Sequence, residues 1–371
     1  MRCTLSLIAV SLGLLTPAVL PAAGYDLTNL VADESGKALF TDTNLQNAWG
    51  LAAGPTSPLW VANNGTGTST VYNGQGQASS LVVTIPPAAG GSPPSAPTGV
   101  VFNGGAGFET GAGQPSRFLF ASEDGVIAGW NPANGTTAVR MVDNPGAIYK
   151  GIALGNNGSG DHLYATDFHG GKIDVFDDSF KAAALAGNFT DPNLPAGFAP
   201  FNIADLGGKL YVTYAKQDAA AEDDVAGPGQ GILDVFDLNG NLEKRLVSTG
   251  DMLNAPWGLA LAPNNFGEFS GALLVGNFGD GMINAYDPTT GNSLGMLLDG
   301  TSNPIMIDGL WALQFGNGTA DQPTNTLFFT AGPGDEAHGL LGKLSPVPEP
   351  AAWALGAMAL LALVCRRRGV R

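Results

Sequence analysis

One pattern of three short apolar strands recurs six times along this chain. The first strand of each copy contains, in order, Gly50, Gly99, Gly151, Asn202, Gly258 and Gly309. These positions lie about 50 residues apart, a spacing typical of β-propeller blades with four short strands each. The 54 glycines and 25 prolines suit the many tight turns that such a fold needs. The repeat therefore predicts a propeller.

Fourth strands are predicted between the copies, over residues 81–85, 138–142, 242–247 and 294–298. The sixth copy leaves no room for a fourth strand before Pro346, whereas residues 27–32 form an apolar segment without a blade. We expect this N-terminal strand to close the last blade and so remove an exposed sheet edge. The prediction is an all-β, six-bladed β-propeller of four-stranded blades over residues 24–346. A seven-bladed ring and a β-sandwich are the alternatives.

The first 23 residues have the features of a secretory signal peptide. Arg2 precedes an apolar run over residues 5–15, and small residues follow at 22–24. The apolar run is too short to span a bilayer. We therefore predict a signal peptide over residues 1–23 and an exported protein.

The C-terminal end, residues 347–371, resembles the PEP-CTERM sorting signal of Gram-negative bacteria. It combines a Pro-Glu-Pro signature, an apolar run over residues 351–365 and a basic end, and a simple membrane anchor is the alternative. The residues that carry the signature are Val347, Pro348, Glu349, Pro350, Arg366, Arg367 and Arg368. The resemblance implies recognition by an exosortase-type sorting enzyme after general export. It also implies transient anchoring in the inner membrane by a transmembrane segment, and then release to the cell surface or the extracellular matrix.

The blade pattern resembles the NHL-like six-bladed propellers. Taken whole, the chain resembles a family of PEP-CTERM-associated bacterial propeller proteins. Proteins with this sorting signal tend to occur in bacteria that make extracellular polysaccharide, which makes polysaccharide a candidate partner.

The body of the chain is acidic and has no cysteine. Residues 24–346 carry 31 acidic and 11 basic residues, and the two cysteines, Cys3 and Cys365, lie outside this range. A body of this charge repels nucleic acid and favours cations or neutral ligands, although solubility alone would explain the charge. No disulfide or thiolate metal site is possible within the body.

A hard-cation site is one hypothesis for the propeller face where the first strands start. The turns between second and third strands meet the same face, and oxygen ligands there would suit Ca²⁺ as a cofactor. The candidate metal ligands are Asn63, Glu123, Asp167, Asn277 and Asp308. Gluconolactonase-like propellers, which this face resembles, hold Ca²⁺ with Asn, Asp and Glu. The alternative is that these residues only form turns.

Carbohydrate binding at the same face is a second hypothesis, because aromatic rings stack on sugar faces. The candidate ligand-binding residues are Trp49, Phe201, Tyr214 and Trp257. They could equally be packing residues between blades. An acidic insert over residues 217–230 lengthens this face in the fourth copy, either as a mobile lid or calcium loop or as a solvated flexible loop.

No catalytic motif assigns an activity to this sequence. A haem-binding Cys-x-x-Cys-His motif is absent, which disfavours a redox propeller. We therefore interpret the protein as an exported binding or matrix module and not as an enzyme. The alternative is a Ca²⁺-dependent hydrolase of the gluconolactonase and phosphotriesterase-like propeller type.

Overall fold

The computed structural model describes residues 24–347, which form one compact unit. The predicted signal peptide and, apart from Val347, the predicted sorting tail lie outside the described residues. Within residues 24–347 no helix has the length and hydropathy needed to cross a bilayer.

The strands follow the chain as consecutive blades, numbered I to VI. The chain starts with β1 (Tyr25–Ala32) and β2 (Phe40–Thr41). Blade I has β3 (Ala48–Ala52), β4 (Leu59–Asn63), the 3₁₀ helix η1 (Asn64–Thr66), β5 (Thr68–Tyr72) and β6 (Ala78–Thr84). Blade II has β7 (Pro97–Phe102), the short strands β8 (Glu109–Gly111) and β9 (Gln114–Pro115), β10 (Phe118–Ser122), β11 (Val126–Trp130), η2 (Pro132–Asn134) and β12 (Val139–Asp143). Blade III has β13 (Tyr149–Asn156), β14 (Asp161–Asp167) and β15 (Lys172–Asp177).

The remaining blades repeat the same up-and-down order. Blade IV has β16 (Phe198–Asp205), β17 (Leu210–Lys216), β18 (Gly231–Phe236) and β19 (Leu242–Val247). Blade V has β20 (Pro256–Leu261), η3 (Gly267–Phe269), β21 (Leu273–Asn277), β22 (Ile283–Tyr286) and β23 (Ser293–Met296). Blade VI has β24 (Leu310–Phe315), β25 (Leu327–Ala331) and β26 (Leu340–Pro346). The predicted six-bladed, all-β propeller is confirmed.

The N-terminal strand closes the ring, as predicted. β1 pairs antiparallel with β26, from Tyr25 opposite Pro346 to Ala32 opposite Leu340. The sheet order β2-β1-β26-β25-β24 shows that the two ends of the chain build one blade. Val31 is fully buried in β1, so the closing strand is part of the core.

Blade III departs from the predicted four strands. Only β13, β14 and β15 form its sheet, and the next segment makes a single bridge between Phe176 and Ala182. That segment, residues 182–187, is rich in alanine and glycine, which have low strand propensity. The chain therefore leaves the edge of blade III after one short contact.

The recurring glycine of the first strand is explained by the approach of neighbouring blades. A Cβ atom on Gly50 would lie 2.3 Å from the Thr98 carbonyl oxygen in blade II, and one on Gly99 would lie 2.6 Å from the Ile152 side chain in blade III. First strands are closest to the propeller axis, where blades converge. Glycine lets their backbones meet without a clash.

The sixth copy is aligned differently from the sequence interpretation. Trp311 directly follows the first residue pair of β24, as Trp49 follows that of β3, so Ala312 corresponds to Gly50. Gly309 instead lies in the turn before β24, with φ at +64°. Asp308 therefore precedes the strand and is exposed to solvent.

Candidate functional site

The channel through the propeller is blocked by an aromatic floor, defined as Trp49, Phe201, Trp257, Phe278 and Trp311. Trp49 stacks on one face of Trp311 with ring centroids 3.7 Å apart, and Phe278 also stacks on Trp311, at 4.0 Å. Trp257 meets Trp311 edge-on at 6.0 Å. These contacts place the rings in one buried cluster at the axis, where their packing stabilises the ring of blades.

A chain of polar side chains lies on top of this floor and runs from blade to blade. Asn47 donates to Glu336 (2.9 Å) and to Asn64 (3.3 Å), and Asn64 donates to Glu123 (2.8 Å). Glu123 in turn pairs with Lys150. Trp311 donates its indole N–H to Asn47 (3.0 Å), which ties the polar chain to the floor. We call this opening, with Asp223 and Asp224 beside it, the mouth.

Lys150 is the centre of the mouth. Its side chain is 2 % exposed and contacts Glu123 as well as Asp223, whose carboxylate lies 3.1 Å away. Its ammonium group also lies 5.2 Å from the centroid of a Trp49 ring. Burial opposes the charge of Lys150, but the two carboxylates outweigh burial, so the pKa of Lys150 is raised. The lysine therefore stays charged inside the protein.

Carboxyl groups outnumber the lysine at the mouth, and two of them resist ionisation. Burial raises the pKa of Glu336 to about 7, with repulsion from Glu123 and Asp223 adding to the effect and Lys150 opposing it. Burial also raises the pKa of Asp224 to about 6, again opposed by Lys150. Carboxyl groups with strongly raised pKa values beside a specific charged partner are typical of functional sites.

The backbone at the mouth is held in an unusual conformation at two of these residues. Asn47 has φ at +43° and Glu336 has φ at +64°. Asparagine tolerates this left-handed region, but glutamate rarely adopts it. Conformations of this kind concentrate at functional sites, because the surrounding structure must hold them in place.

The acidic insert of residues 217–230 folds against the mouth. Gln217 donates to the Phe168 carbonyl oxygen at 2.6 Å, and a ring nitrogen of His169 lies 3.2 Å from the Ala221 carbonyl oxygen. The insert thereby brings Asp223 to Lys150. Asp223 is 76 % exposed, so it covers the lysine from the solvent side.

The five predicted metal ligands do not come together. Only Glu123 lies at the mouth, and no two of the five share a hydrogen bond within residues 24–347. Asn63 is fully buried and bonds Thr68 and Thr70, while Asn277 donates to the Met252 carbonyl oxygen. In the described part of the chain no group of three or more His, Cys, Asp or Glu residues is placed to hold a metal ion.

The other two predicted metal ligands hold turns. Asp167 accepts from the backbone N–H groups of Ile148 and Gly170, and Asp308 accepts from that of Gly334. Acidic and amide side chains commonly stabilise turns in this way. Calcium binding by these residues stays a prediction.

The predicted sugar-stacking aromatics are buried, with exposed fractions of 5 % or less. Trp49, Phe201 and Trp257 are in the aromatic floor, where each ring packs against that of Trp311. Tyr214 belongs to a different cluster and does not meet them. Their part in ligand binding stays a prediction.

Sequence reasoning missed most of the mouth. Trp311 could have been found, because Trp311-Ala312-Leu313 matches Trp49-Gly50-Leu51 once glycine is not required. Lys150 starts the first strand of the third copy, so the sequence alone places it at the propeller face where the first strands start. Asn47 and Glu336 lie in irregular segments and Asn64 lies in the short helix η1, so none of the three is part of the repeated strand pattern.

Comparisons with known proteins identify relatives in a giant virus. One uncharacterised protein of Acanthamoeba polyphaga mimivirus is 34% identical over 335 residues, which cover 86% of this chain and 80% of the relative. A second mimivirus protein, also uncharacterised, is 33% identical over 340 residues, covering 87% and 86% of the two chains. The chain belongs to the family of these mimivirus proteins. No protein-family model matches this chain.

Solved structures place this mimivirus-related family among the propellers. A protein of unknown function from Bacteroides thetaiotaomicron superposes with a TM-score of 0.55 at 11% identity, covering 88% of this chain and 76% of that one. A virginiamycin B lyase from Staphylococcus aureus superposes with a TM-score of 0.53 at 12% identity, covering 88% and 100%. At these identities the likeness shows the fold alone.

Proposed function

We propose that this protein is a binding module whose mouth takes a positively charged ligand. The observation that carries the proposal is the imbalance of charge around Lys150. Glu123, Asp223, Asp224 and Glu336 surround this single buried lysine. Burial and repulsion from neighbouring carboxylates raise the pKa of Glu336, and a cation placed among these groups would offset both effects.

The rest of the molecule supports a cation over an anion. Residues 24–346 have 20 more acidic than basic residues, so the whole body attracts positive charge. The carboxyl groups of the mouth are also held in place without a ligand. Asn47 donates a hydrogen bond to Glu336, and Asn64 donates one to Glu123. A site arranged in advance loses less entropy on binding.

Within residues 24–347 the carboxyls are not placed to coordinate a metal ion, so an organic ammonium group is the favoured ligand and a divalent metal ion is the alternative. Calorimetric titration of calcium chloride and of 1,4-diaminobutane into the purified, chelator-treated protein separates them. We expect saturable binding of at least one at pH 8. Binding should weaken on the order of tenfold at pH 5.5, because Asp224 and Glu336 then carry protons.

A matched pair of variants locates the binding. Glu336→Gln removes the mouth carboxyl and should weaken binding at pH 8 as well as its pH dependence. Glu268→Gln makes the same change at an exposed site in η3 and should have no effect. Absence of binding by both cations, or equal weakening by both variants, would contradict the proposal.

A calcium-dependent hydrolase is the second candidate, favoured by the pKa of Glu336. A carboxyl that titrates near neutral pH is suited to general acid–base catalysis. This candidate requires that calcium binds in the titration above and that hydrolysis of lactones or phosphoesters is lost on chelation. Binding of the diamine alone would reject it.

We further propose that the module is exported and sorted to the cell surface or beyond, with an exosortase-type enzyme and extracellular polysaccharide as partners. The signal peptide predicted over residues 1–23 and the resemblance of the Pro-Glu-Pro tail to a sorting signal support this proposal. The intact mass of the mature protein would reveal whether residues 1–23 and the tail from Val347 are removed. A mass that includes both would reject it.

A further inference from the structure

A cavity lies in the channel on the other side of the aromatic floor from the mouth. Its volume is about 320 Å³, and the first strands of all six blades line it. Its aliphatic wall comprises Leu51, Val100, Ile152, Ile203, Leu259 and Leu313. This volume falls in the range of small-molecule sites. We call it the far cavity.

The far cavity contains one unusual polar side chain. In each blade one residue immediately precedes the aliphatic wall residue in sequence. This preceding residue is glycine in blades I, II, III and V and alanine in blade VI, but in blade IV it is Asn202. Asn202 is 6 % exposed and lines the cavity. The other five blades have no polar side chain at this position, so the buried amide of Asn202 needs hydrogen-bond partners that the other blades do not require.

Half of the Asn202 amide has such a partner. Its Nδ2 donates to the Trp257 carbonyl oxygen at 2.7 Å, which links blade IV to blade V. Its Oδ1 accepts no hydrogen bond from any residue in the described range 24–347. This oxygen is not among the side-chain atoms that the protein encloses completely without a partner, and Asn202 lines the cavity, so it is an acceptor available to a molecule there.

The other end of the cavity opens to solvent. Leu154, Asp205 and Leu206 line it and are partly exposed. Asp205 is the one ionisable residue among those that line the cavity, and its Oδ1 accepts from the backbone N–H of Gly208 at 2.8 Å. The deep end beside Asn202 therefore has no charge to balance a charged ligand, which favours a neutral one.

We propose that the far cavity binds a small neutral molecule that points an O–H or N–H donor at Asn202 Oδ1. The apolar part of this molecule packs against Leu51, Ile152 and Leu259. The aromatic floor separates this site from the mouth, so the two sites bind different chemistry. The inference is independent of the cation proposed for the mouth.

Cyclohexanol and cyclohexanone test the proposal, because they have nearly the same shape and only the alcohol has a donor. Their affinities for the full-length chain are measured by ligand-observed NMR titration. We expect saturable binding of cyclohexanol, about 5- to 10-fold tighter than cyclohexanone, the value of one neutral hydrogen bond. Equal affinities, or no binding of cyclohexanol, would overturn the proposal.

Two variants locate the binding. Asn202→Gly introduces the residue that four other blades carry and should remove the preference for the alcohol. Ala204→Phe fills the cavity from a partly exposed lining position and should abolish binding of both compounds. Melting temperatures show whether each variant is folded. Glu336→Gln at the mouth should leave both affinities unchanged, and a loss of cyclohexanol binding in that variant would overturn the assignment to the far cavity.

Discussion

Lys150→Met is expected to destabilise the protein by about 2–4 kcal/mol. The substitution removes the buried cation from among the carboxyls of the mouth and leaves the partly buried Glu123 without its charged partner. We place the value in the lower part of the range for broken buried ion pairs, because Asp223 is 76 % exposed. Thermal unfolding should show a melting temperature lower by about 4–8 °C.

Lys172→Met is the matched control, in the same blade. Lys172 also contacts two carboxylates, those of Asp167 and Asp174, but its side chain is 53 % exposed. Exposed ion pairs contribute less than about 1 kcal/mol. If the two lysine variants lose equal stability, Lys150 does not have the central position assigned to it. The Lys150 variant should also bind the cation more tightly, because Lys150 competes for Glu123.

Val31→Asp is expected to have an even larger effect, because it puts an unpaired charge into the strand that closes the ring. Val31 is fully buried and lies opposite Leu341 in β26. We expect a loss of more than about 4 kcal/mol, or failure to fold. Val31→Ala keeps the strand apolar and should lose about 2 kcal/mol, which gives a measurable value if the aspartate variant does not fold.

Leu27→Asp makes the same change on the same strand at a residue that is 41 % exposed. Its melting temperature should remain within about 1 °C of the parent, since surface substitutions have small effects. Equal losses in Leu27→Asp and Val31→Asp would show that β1 does not close the ring through its buried face.

The blade pattern of this protein could be predicted from its sequence because each blade repeats the same local requirements. Short apolar strands pack between neighbouring blades, and a glycine such as Gly99 lets first strands approach. The closing strand was predictable because the sixth copy has no fourth strand of its own, whereas the apolar residues 27–32 belong to no other blade. Blade III could not be completed in the same way, because the segment after Asp177 makes only one bridge.

The mouth could be predicted only in part, because its residues come from segments that do not repeat. Glu123 and Lys150 were visible at the ends of repeated strands, and they do meet. Glu336 is 289 residues away from Asn47 in sequence, and only the closure of the ring brings them within 2.9 Å. Oxygen-bearing residues at turns, such as Asp167, use their oxygens to hold the turns themselves, and whether they also bind a metal ion stays a prediction.

The most direct test of the mouth as a cation site is the pKa of Glu336, measured by ¹³C NMR of its carboxyl carbon, with Glu336→Gln used for assignment. The structure predicts a pKa of about 7 in the free protein, because burial and the neighbouring carboxylates disfavour ionisation. Addition of calcium or 1,4-diaminobutane should lower this pKa, since a bound cation favours the ionised form. A pKa near 4.5 that neither cation changes would contradict the account.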